Sequence, residues 1–145
     1  MKKLILLFCL TILSYAQMDF SDPQPTFDNP RKWIIKLNVS DEKTVNSTLG
    51  AIYNVLKEYP AEAINISVVA YGKGVRVLKK DYDKDTLIRI SSLMDYDVEF
   101  IACKNTMESM HWTKDDLIDD LSYVQAGIVE VIEKQVSGYY EVTPY

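Results

Sequence analysis

The sequence predicts an α/β fold with a mostly parallel sheet flanked by helices. Two observations predict it: short β-branched runs recur along the 145 residues, and segments with apolar residues at helical spacing separate them. Strands that alternate with helices form right-handed βαβ units, whose strands run parallel. In open sheets of this kind, ligands and chemistry gather beyond the carboxyl ends of the strands.

The first strand and the first helix are strongly patterned. The run "WIIKLNV", residues 33–39, is rich in β-branched residues and predicts a strand. Either Ser40 or Asp41 can cap the amphipathic helix predicted over 41–59, and Pro60 ends that helix. Its apolar face holds Val45, Leu49, Ile52 and Leu56.

The second strand is almost wholly apolar. The run "INISVVAY", residues 64–71, fits a strand that is covered on both faces. Glycines at 72–74 predict a tight turn, and "VRVLKK", residues 75–80, predicts the start of a short helix. Asp83 or Asp85 then begins a further helix. The apolar face of this helix holds Leu87, Ile90 and either Leu93 or Met94.

The third strand leads into the last part of the domain. The run "VEFIAC", residues 98–103, predicts a strand, and a short helix follows over 105–110. A last amphipathic helix is predicted over 127–136, and Gly138 ends it. The run "YYEV", residues 139–142, predicts a final short strand.

An acidic segment lies between the short helix and the last helix. The run "TKDD", residues 113–116, fits a capping box with Thr113 as N-cap and Asp116 three positions later. In "DDLIDDL", residues 115–121, four Asp surround apolar residues. This pattern predicts the solvated face of a short helix, with a surface that tunes partner binding as the alternative.

The amino terminus has the order of a secretory leader. Lys2 and Lys3 precede the apolar run "LILLFCLTIL", residues 4–13, and Ser14 and Ala16 occupy the small-residue positions of a cleavage site. The run is well short of the ~20 residues that a transmembrane helix needs. We therefore expect cleavage after Ala16, no stable membrane anchoring and export to the bacterial periplasm. An uncleaved anchor is the alternative.

The chain divides into a signal peptide over 1–16, an N-terminal tail with three prolines over 17–32, and one α/β domain over 33–145. The net charge is −5, and the leader contains two of the 16 basic residues but none of the 21 acidic ones. Removing the leader would leave a net charge of −7. So acidic a chain is not expected to bind nucleic acid, whose phosphates require clustered Lys and Arg, or an anionic membrane surface.

Cys103 is the candidate reactive residue. The other cysteine, Cys9, lies in the leader, so the mature chain has a single thiol, which cannot form an intrachain disulfide. A thiol at a strand end and a helix start meets unpaired N–H groups and the positive end of the helix dipole, which lower its pKa. Lys104 adds positive charge, and Asn105 and Thr106 add polar groups. The alternative is a buried, inert thiol.

Several other residues are candidates for the surroundings of this thiol. Asn38, Tyr71-Gly72 and Cys103 each lie at or near the end of a predicted strand, so we expect them to share one edge of the sheet. His111, the single histidine, is ~12 Å from Cys103 along a continuous helix, too far for a Cys–His pair within one subunit. His111-Trp112 is instead expected to serve packing or an interface.

No metal and no cofactor are expected from the sequence. Cys103 and His111 lack the two further nitrogen or sulfur ligands that a zinc site requires. The run "AYGKG", residues 70–74, matches neither the dinucleotide-binding fingerprint nor the P-loop motif. Its glycines are better explained by a tight turn.

The chain resembles the DsrE/DsrF-like (YchN-like) family over residues 31–145. The resemblance rests on "KWIIKLNV" before a long helix, on "ISVVAYGKGVRVL", on "GYYEVTPY", and above all on "VEFIACKNTMESM". It implies a three-layer α/β sandwich with a mostly parallel sheet of about five strands. It also implies assembly into homotrimers or homohexamers and sulfur carried as a persulfide on Cys103, with Asn105 and Thr106 as supporting residues.

Two functions are therefore expected as alternatives. The first is an exported sulfur carrier that receives sulfane sulfur on Cys103 from a persulfide or polysulfide donor and passes it to the thiol of an acceptor. Lys104, Asn105 and Thr106 would support that thiolate. The second is a non-catalytic homo-oligomeric binding or assembly module in which Cys103 is structural. The sequence contains no complete catalytic constellation, so enzymatic activity beyond a carrier role is left open.

Overall fold

The structure is a computed structural model that describes residues 18–144. The signal peptide predicted over 1–16 lies outside the described residues. No helix within the described part is long and apolar enough to cross a membrane. The elements are β1 (Arg31–Leu37), α1 (Glu42–Glu58), β2 (Ile64–Ala70), a 3₁₀ helix (Gly72–Leu78), α2 (Lys84–Met94), β3 (Glu99–Cys103), α3 (Lys104–Ser109), a 3₁₀ helix (Lys114–Asp116), β4 (Ser122–Val124), α4 (Gly127–Val136) and β5 (Tyr140–Glu141).

The strands form one parallel sheet in the order β4-β3-β2-β1-β5. From β1 to β4 the chain moves across the sheet in one direction, and between β4 and β5 it returns to the opposite edge. Because crossovers between parallel strands are right-handed, this reversal puts α4 on the other face from α1 and α2. The predicted α/β fold, a parallel sheet between two layers of helices, is confirmed.

The larger core lies between the sheet and the layer that contains α1 and α2. Asp41 caps α1 by accepting a hydrogen bond from the Thr44 N–H across 2.9 Å, and Asp83 caps α2 through the Thr86 N–H across 2.8 Å. Each aspartate is one of the two cap candidates that the sequence indicates. Residues that fill this core include Trp33, Ile35, Leu37, Val45, Leu49, Ile52, Ile90 and Phe100.

Within the described chain, α4 is the helix that covers the second face of the sheet. Its Val131 is buried and packs in a small cluster with one residue from each of three adjacent strands, namely Ile34, Val69 and Ile101. Lys134 of α4 donates a hydrogen bond across 2.7 Å to Glu99, which also accepts one from Ser67 across 2.9 Å. One apolar contact and one ion pair thus fix which side of α4 faces the sheet.

The segment after β2 differs from its prediction. The sequence predicts a turn over 72–74 and a helix that starts within 75–80, but one 3₁₀ helix, Gly72–Leu78, spans both. Gly74 lies so close to the end of β1 that a Cβ there would be 1.8 Å from the carbonyl oxygen of Leu37. Beyond Leu78 the chain is extended and pairs with residue 117 in an antiparallel bridge. That pairing ends the helical segment at Leu78, before the last two residues of the predicted helix start.

The acidic segment also corrects one prediction. The capping box is confirmed, because the N–H and the hydroxyl of Thr113 both donate to the Asp116 carboxylate, at 2.7 and 3.0 Å. The short helix predicted over 115–121 is wrong, since only the single 3₁₀ turn Lys114–Asp116 forms. Asp120 has a left-handed φ of 60°, which a right-handed helix does not accommodate. Strand β4, absent from the sequence prediction, follows at once.

The predicted tail is held against the domain near its end. From residue 18 to Pro30 it contains no helix or strand. The guanidinium of Arg31, the first residue of β1, donates hydrogen bonds to the carbonyl oxygens of Ser21 and Pro23, at 2.6 and 2.9 Å. The strand itself starts two residues before the predicted position, Trp33.

Candidate functional site

The carboxyl ends of the strands meet at one edge, as the sequence predicts. The Tyr71 N–H donates to the carbonyl oxygen of Leu37 across 3.1 Å, which joins the ends of β2 and β1. The Gly72 N–H donates to the Thr106 hydroxyl oxygen across 2.9 Å, which ties the end of β2 to α3. Cys103, at the end of β3, is in register with Val124 of β4. In open parallel sheets, binding and reactive sites lie beyond this edge.

Cys103 ends β3 and is the N-cap residue of α3. Its side chain is buried, with 5% of its surface exposed. The Gly127 N–H, at the start of α4, donates a hydrogen bond to the Sγ across 3.3 Å. The Sγ also lies 3.7 Å from the carbonyl oxygen of Gln125, to which the thiol can donate. The sulfur is therefore enclosed between α3 and the segment that joins β4 to α4.

These contacts favour the thiolate. Burial raises the pKa of Cys103, but the Gly127 N–H, the N–H and hydroxyl of Thr106 and the Asn105 N–H together lower that pKa below its ordinary value. The helix-start placement predicted a lowered pKa, and the direction is confirmed. The charge of Lys104 is not among the main causes, and Lys104 is simply the half-buried first residue of α3.

Thr106 links the thiol to Gly72, the first residue of the 3₁₀ helix after β2. Its hydroxyl oxygen accepts the hydrogen bond from the Gly72 N–H, and the hydroxyl lowers the pKa of Cys103. An oxygen that accepts from a backbone amide can direct its own hydrogen elsewhere, here toward the sulfur. The start of the 3₁₀ helix after β2 therefore has a defined role, which is to orient Thr106.

Asn105 is hydrogen-bonded to the segment that covers Cys103, through both its side chain and its backbone N–H. Its Oδ1 accepts a hydrogen bond from the Gln125 side-chain amide across 2.6 Å, and its N–H donates to the Gln125 carbonyl oxygen across 3.0 Å. The same Gln125 amide reaches a carboxylate oxygen of Glu108 at 3.2 Å. Three hydrogen bonds thus hold the segment after β4 over Cys103.

Gly127 is required by close packing at this point. A Cβ at this position would lie 3.0 Å from the Cβ of Tyr71 and 3.3 Å from the Cβ of Cys103. From the sequence, Gly127 is predicted only as the start of a helix, and Gln125 is not predicted as a site residue. The available signal is the β-favouring pair Tyr123-Val124 just before "QAG", which places both residues at a strand end.

His111 stands apart from the thiol. It follows the end of α3 in a left-handed conformation, with a φ of 57°, and it is exposed. Its neighbour Trp112 packs at the border of the core, with the Lys79 ammonium 4.8 Å from the ring centre. No group of three or more His, Cys, Asp or Glu within residues 18–144 could hold a metal ion.

A groove of about 770 Å³ lies at the other end of the sheet, next to the start of β2. Its lining includes the aromatic residues Phe27, Tyr53, Tyr59 and Tyr96. The Cys103 residue and the segment that covers it do not line this groove. The enclosed thiol and the aromatic groove are thus separate features.

Comparison with known proteins agrees with this geometry. The family model described as "DsrE/DsrF-like family" matches residues 39–144. The solved structure of MTH1491 from Methanobacterium thermoautotrophicum, a protein of unknown function, is 27% identical with a TM-score of 0.72. The match covers 79% of this chain and 99% of that one. No curated protein sequence matches significantly. The parallel five-stranded sheet, the strand that ends in Ala-Cys and the family match together lead to one assignment: the chain belongs to the DsrE/DsrF-like family.

Proposed function

We propose that this protein carries sulfane sulfur as a persulfide on Cys103. The observation that carries the proposal is the hydrogen bond from the Gly127 N–H to the Sγ, which with the Thr106 and Asn105 groups lowers the pKa of the thiol. The thiolate is the nucleophilic form of cysteine. Membership of the DsrE/DsrF-like family favours a sulfur-relay-related role.

The transfer needs no oxidant. The Cys103 thiolate attacks the terminal sulfur of a donor persulfide or polysulfide, and a new bond forms between Sγ and that sulfur. The donor sulfur–sulfur bond breaks, and the donor leaves as a thiolate with the electron pair. In the second half, an acceptor thiolate attacks the outer sulfur, and Cys103 leaves as a thiolate. Both halves conserve electrons, so a donor and an acceptor thiol suffice.

Each site residue has a place in this scheme. Gly127 and Thr106 stabilise Cys103 as nucleophile and as leaving group, because both states are thiolates. Asn105 holds the covering segment through Gln125. Lys104, at the first position of α3, is assigned a weaker supporting role through its charge. Because Cys103 is only 5% exposed, the covering segment must move before a donor reaches the sulfur.

We also propose export and self-assembly. The order of charged, apolar and small residues over 1–16 supports cleavage after Ala16 and a periplasmic location. Members of the family are generally oligomeric, and we propose a homotrimer or a homohexamer for this chain. The single mature cysteine would then give one carrier thiol per subunit.

A structural role for Cys103 is the second candidate. The observation that favours it is burial, because the thiol has 5% exposure and belongs to the main core together with Met107. In that case the protein is a homo-oligomeric binding or assembly module without sulfur chemistry. A small apolar thiol then fills the space between β3 and α4.

Intact mass spectrometry separates the two candidates. The protein is incubated with polysulfide at neutral pH, and the proposed carrier gains about 32 Da, or a multiple of it, that a reductant removes. The matched control is Cys103→Ser, which should gain nothing. The carrier proposal is rejected if the native protein gains no mass while the unfolded protein does, since the thiol is then present but unreachable.

A further inference from the structure

The groove beside the start of β2 lies between the segments that follow α1 and α2, at the opposite end of the sheet from Cys103. Its volume of about 770 Å³ falls within the range of roughly 300–1,000 Å³ that is usual for small-molecule sites. We call it the aromatic groove. Three of its four rings are largely exposed: Phe27 at 70%, Tyr96 at 61% and Tyr53 at 46%. Their faces are therefore open to a ligand.

The walls of the aromatic groove are held in place by contacts within the chain. On one side, the ring of Tyr59 packs against the ring of Phe20 from the N-terminal tail, with 4.7 Å between the ring centres. On the other side, the backbone N–H groups of Asp95, Tyr96 and Asp97 each donate to a carbonyl oxygen in the last turn of α2, at 3.0 to 3.1 Å. The groove is thus formed before any ligand binds.

The aromatic groove is also acidic. Glu62, Asp95 and Asp97 line it, whereas Lys57 is the one basic residue among the described residues that do so. Within residues 18–144, none of these three carboxylates has an ion-pair partner. The groove also lies at the carboxyl ends of two helices, where the helix dipoles add partial negative charge, and α2 has no basic residue in its last turn to offset it.

We propose that the aromatic groove binds a small organic ammonium ion with an apolar body. Negative charge beside open ring faces is complementary to such a ligand, because the face of an aromatic ring attracts a cation. The chain itself contains one contact of this kind, since the Lys57 ammonium lies 4.4 Å from the centre of the Tyr53 ring. The three carboxylates are not grouped closely enough to hold a metal ion, which favours a larger, organic cation.

Tyr96 is the ring that we assign to the ligand. It lies between Asp95 and Asp97 in the chain, so two carboxylates flank it. Among the described residues, no Lys or Arg of the chain lies over its face. The site is separate from Cys103, so this proposal is independent of the carrier role.

An NMR titration of the full chain, as its host processes it, tests the proposal. The probe is benzyltrimethylammonium, and benzyl alcohol is the matched compound with the same ring but no charge. We expect saturable binding of the ammonium ion, with shifted amide signals at the aromatic groove, and an affinity for the alcohol that is lower by about tenfold. Equal affinities for the two compounds, no saturable binding, or shifts confined to the Cys103 end of the sheet would each overturn the proposal.

Variants of Tyr96 test the role of the ring. Tyr96→Leu keeps an apolar side chain but removes the ring, and should weaken binding of the ammonium probe by about tenfold. Tyr96→Phe keeps the ring and should retain the wild-type affinity. The control is Tyr140→Leu, because Tyr140 is also exposed but does not line the groove. A Tyr96→Leu variant that binds as well as Tyr140→Leu would remove the ring from the site.

Two further variants test the sign of the charge. Asp97→Asn should weaken binding by roughly threefold. Its matched control is Asp120→Asn, since Asp97 and Asp120 have left-handed φ values of 61° and 60°, which asparagine tolerates, and Asp120 does not line the groove. Lys57→Gln removes the competing ammonium and should strengthen binding, which a merely damaged fold would not do. Weaker binding by Lys57→Gln, or equal effects of the two aspartate variants, would overturn the proposal.

Discussion

The backbone N–H of Gly127 donates a hydrogen bond to the sulfur of Cys103 across 3.3 Å, although the two residues are 24 positions apart. The contact joins the third strand to the last helix. A side chain at position 127 would contact Cys103 and Tyr71 too closely, at 3.3 and 3.0 Å. The glycine is therefore what allows the amide to reach the sulfur.

Gly127→Ala should weaken both the fold and the thiolate. The added methyl group must push α4 away from Tyr71 and Cys103, which costs about 1–2 kcal/mol of unfolding free energy. The same shift lengthens the N–H to sulfur hydrogen bond, so the pKa of Cys103 rises. Chemical denaturation gives the first effect, and the pH midpoint of thiol labelling gives the second.

Gly50→Ala is the matched control for that variant. Gly50 lies inside α1, and a methyl group there would make only an ordinary contact, 3.6 Å from Arg89. Alanine favours the helix by about 0.5–1 kcal/mol, so the control should be more stable than the wild type. An unchanged labelling midpoint in Gly127→Ala would contradict the assigned role of the Gly127 amide.

Thr106→Val should raise the pKa of Cys103 toward its ordinary value. Burial raises this pKa, and the Thr106 hydroxyl is one of the groups that lower it. Valine has the same shape as threonine but lacks the hydroxyl. Labelling at neutral pH then slows, because the thiolate fraction falls. Thr106→Ser keeps the hydroxyl and should retain the wild-type midpoint. Equal midpoints in the valine and serine variants would remove Thr106 from the site.

Gln125→Ala should make Cys103 more accessible. The Gln125 side chain bonds to Asn105 and Glu108 and holds the segment that covers the sulfur. Loss of roughly 1 kcal/mol from the closed state increases the open fraction about fivefold, and labelling accelerates by the same factor. Gln135→Ala is the control, since Gln135 bonds to Glu141 on the exposed side of α4. Equal labelling rates in the two variants would show that the Gln125 side chain does not hold the covering segment closed.

The sequence predicted one half of this site and missed the other for a physical reason. Cys103 ends β3, and Asn105 and Thr106 lie in the first turn of the helix that follows it. The strand end and the helix start both have strong local sequence patterns. The covering residues Gln125 and Gly127 follow β4, which is three residues long and shows no alternation. Contact between the halves depends on strand order, which local pattern does not specify.

The misplaced helices have the same origin. Residues 75–80 have helix-compatible spacing, but Gly74 is pressed onto Leu37, and the chain after Leu78 pairs with a distant segment. Tertiary contacts override a weak local preference over so few residues. The long elements, such as α1, were predicted within a residue or two because cap, apolar face and terminating proline all agree.

Gly74→Ala should destabilise the whole domain. A Cβ at this position would lie 1.8 Å from the Leu37 carbonyl oxygen and 2.5 Å from its carbon, both backbone atoms that cannot rotate away. The end of β1 and the 3₁₀ helix must separate, at a cost of about 3 kcal/mol or more. Denaturant titration against Gly50→Ala measures the difference, and a loss below about 1 kcal/mol would show that the two segments adjust freely.

The ion pair between Glu99 and Lys134 should make stability depend on pH. Burial raises the pKa of Glu99, but the hydrogen bonds from Lys134, Ser67 and Ser122 and the charge of Lys134 lower it overall below 4.5, its ordinary value. A depressed carboxyl pKa contributes stability above its unfolded value and loses it as the pH falls through the folded value. The contribution should thus be complete above about pH 5 and decline below it.

Glu99→Gln tests this by removing the charge while keeping the shape. Because the pair is partly exposed, we expect a loss of about 1 kcal/mol at pH 7, and the difference from the wild type should shrink as the pH falls below 4.5. Burial lowers the pKa of Lys134, but Glu99 raises it overall above 10.5, so the lysine stays charged throughout this range. Glu133→Gln, at an exposed position of α4, is the control and should change little at any pH. A difference between Glu99→Gln and the wild type that is constant from pH 7 to pH 3 would mean that the two residues interact through shape and not through charge.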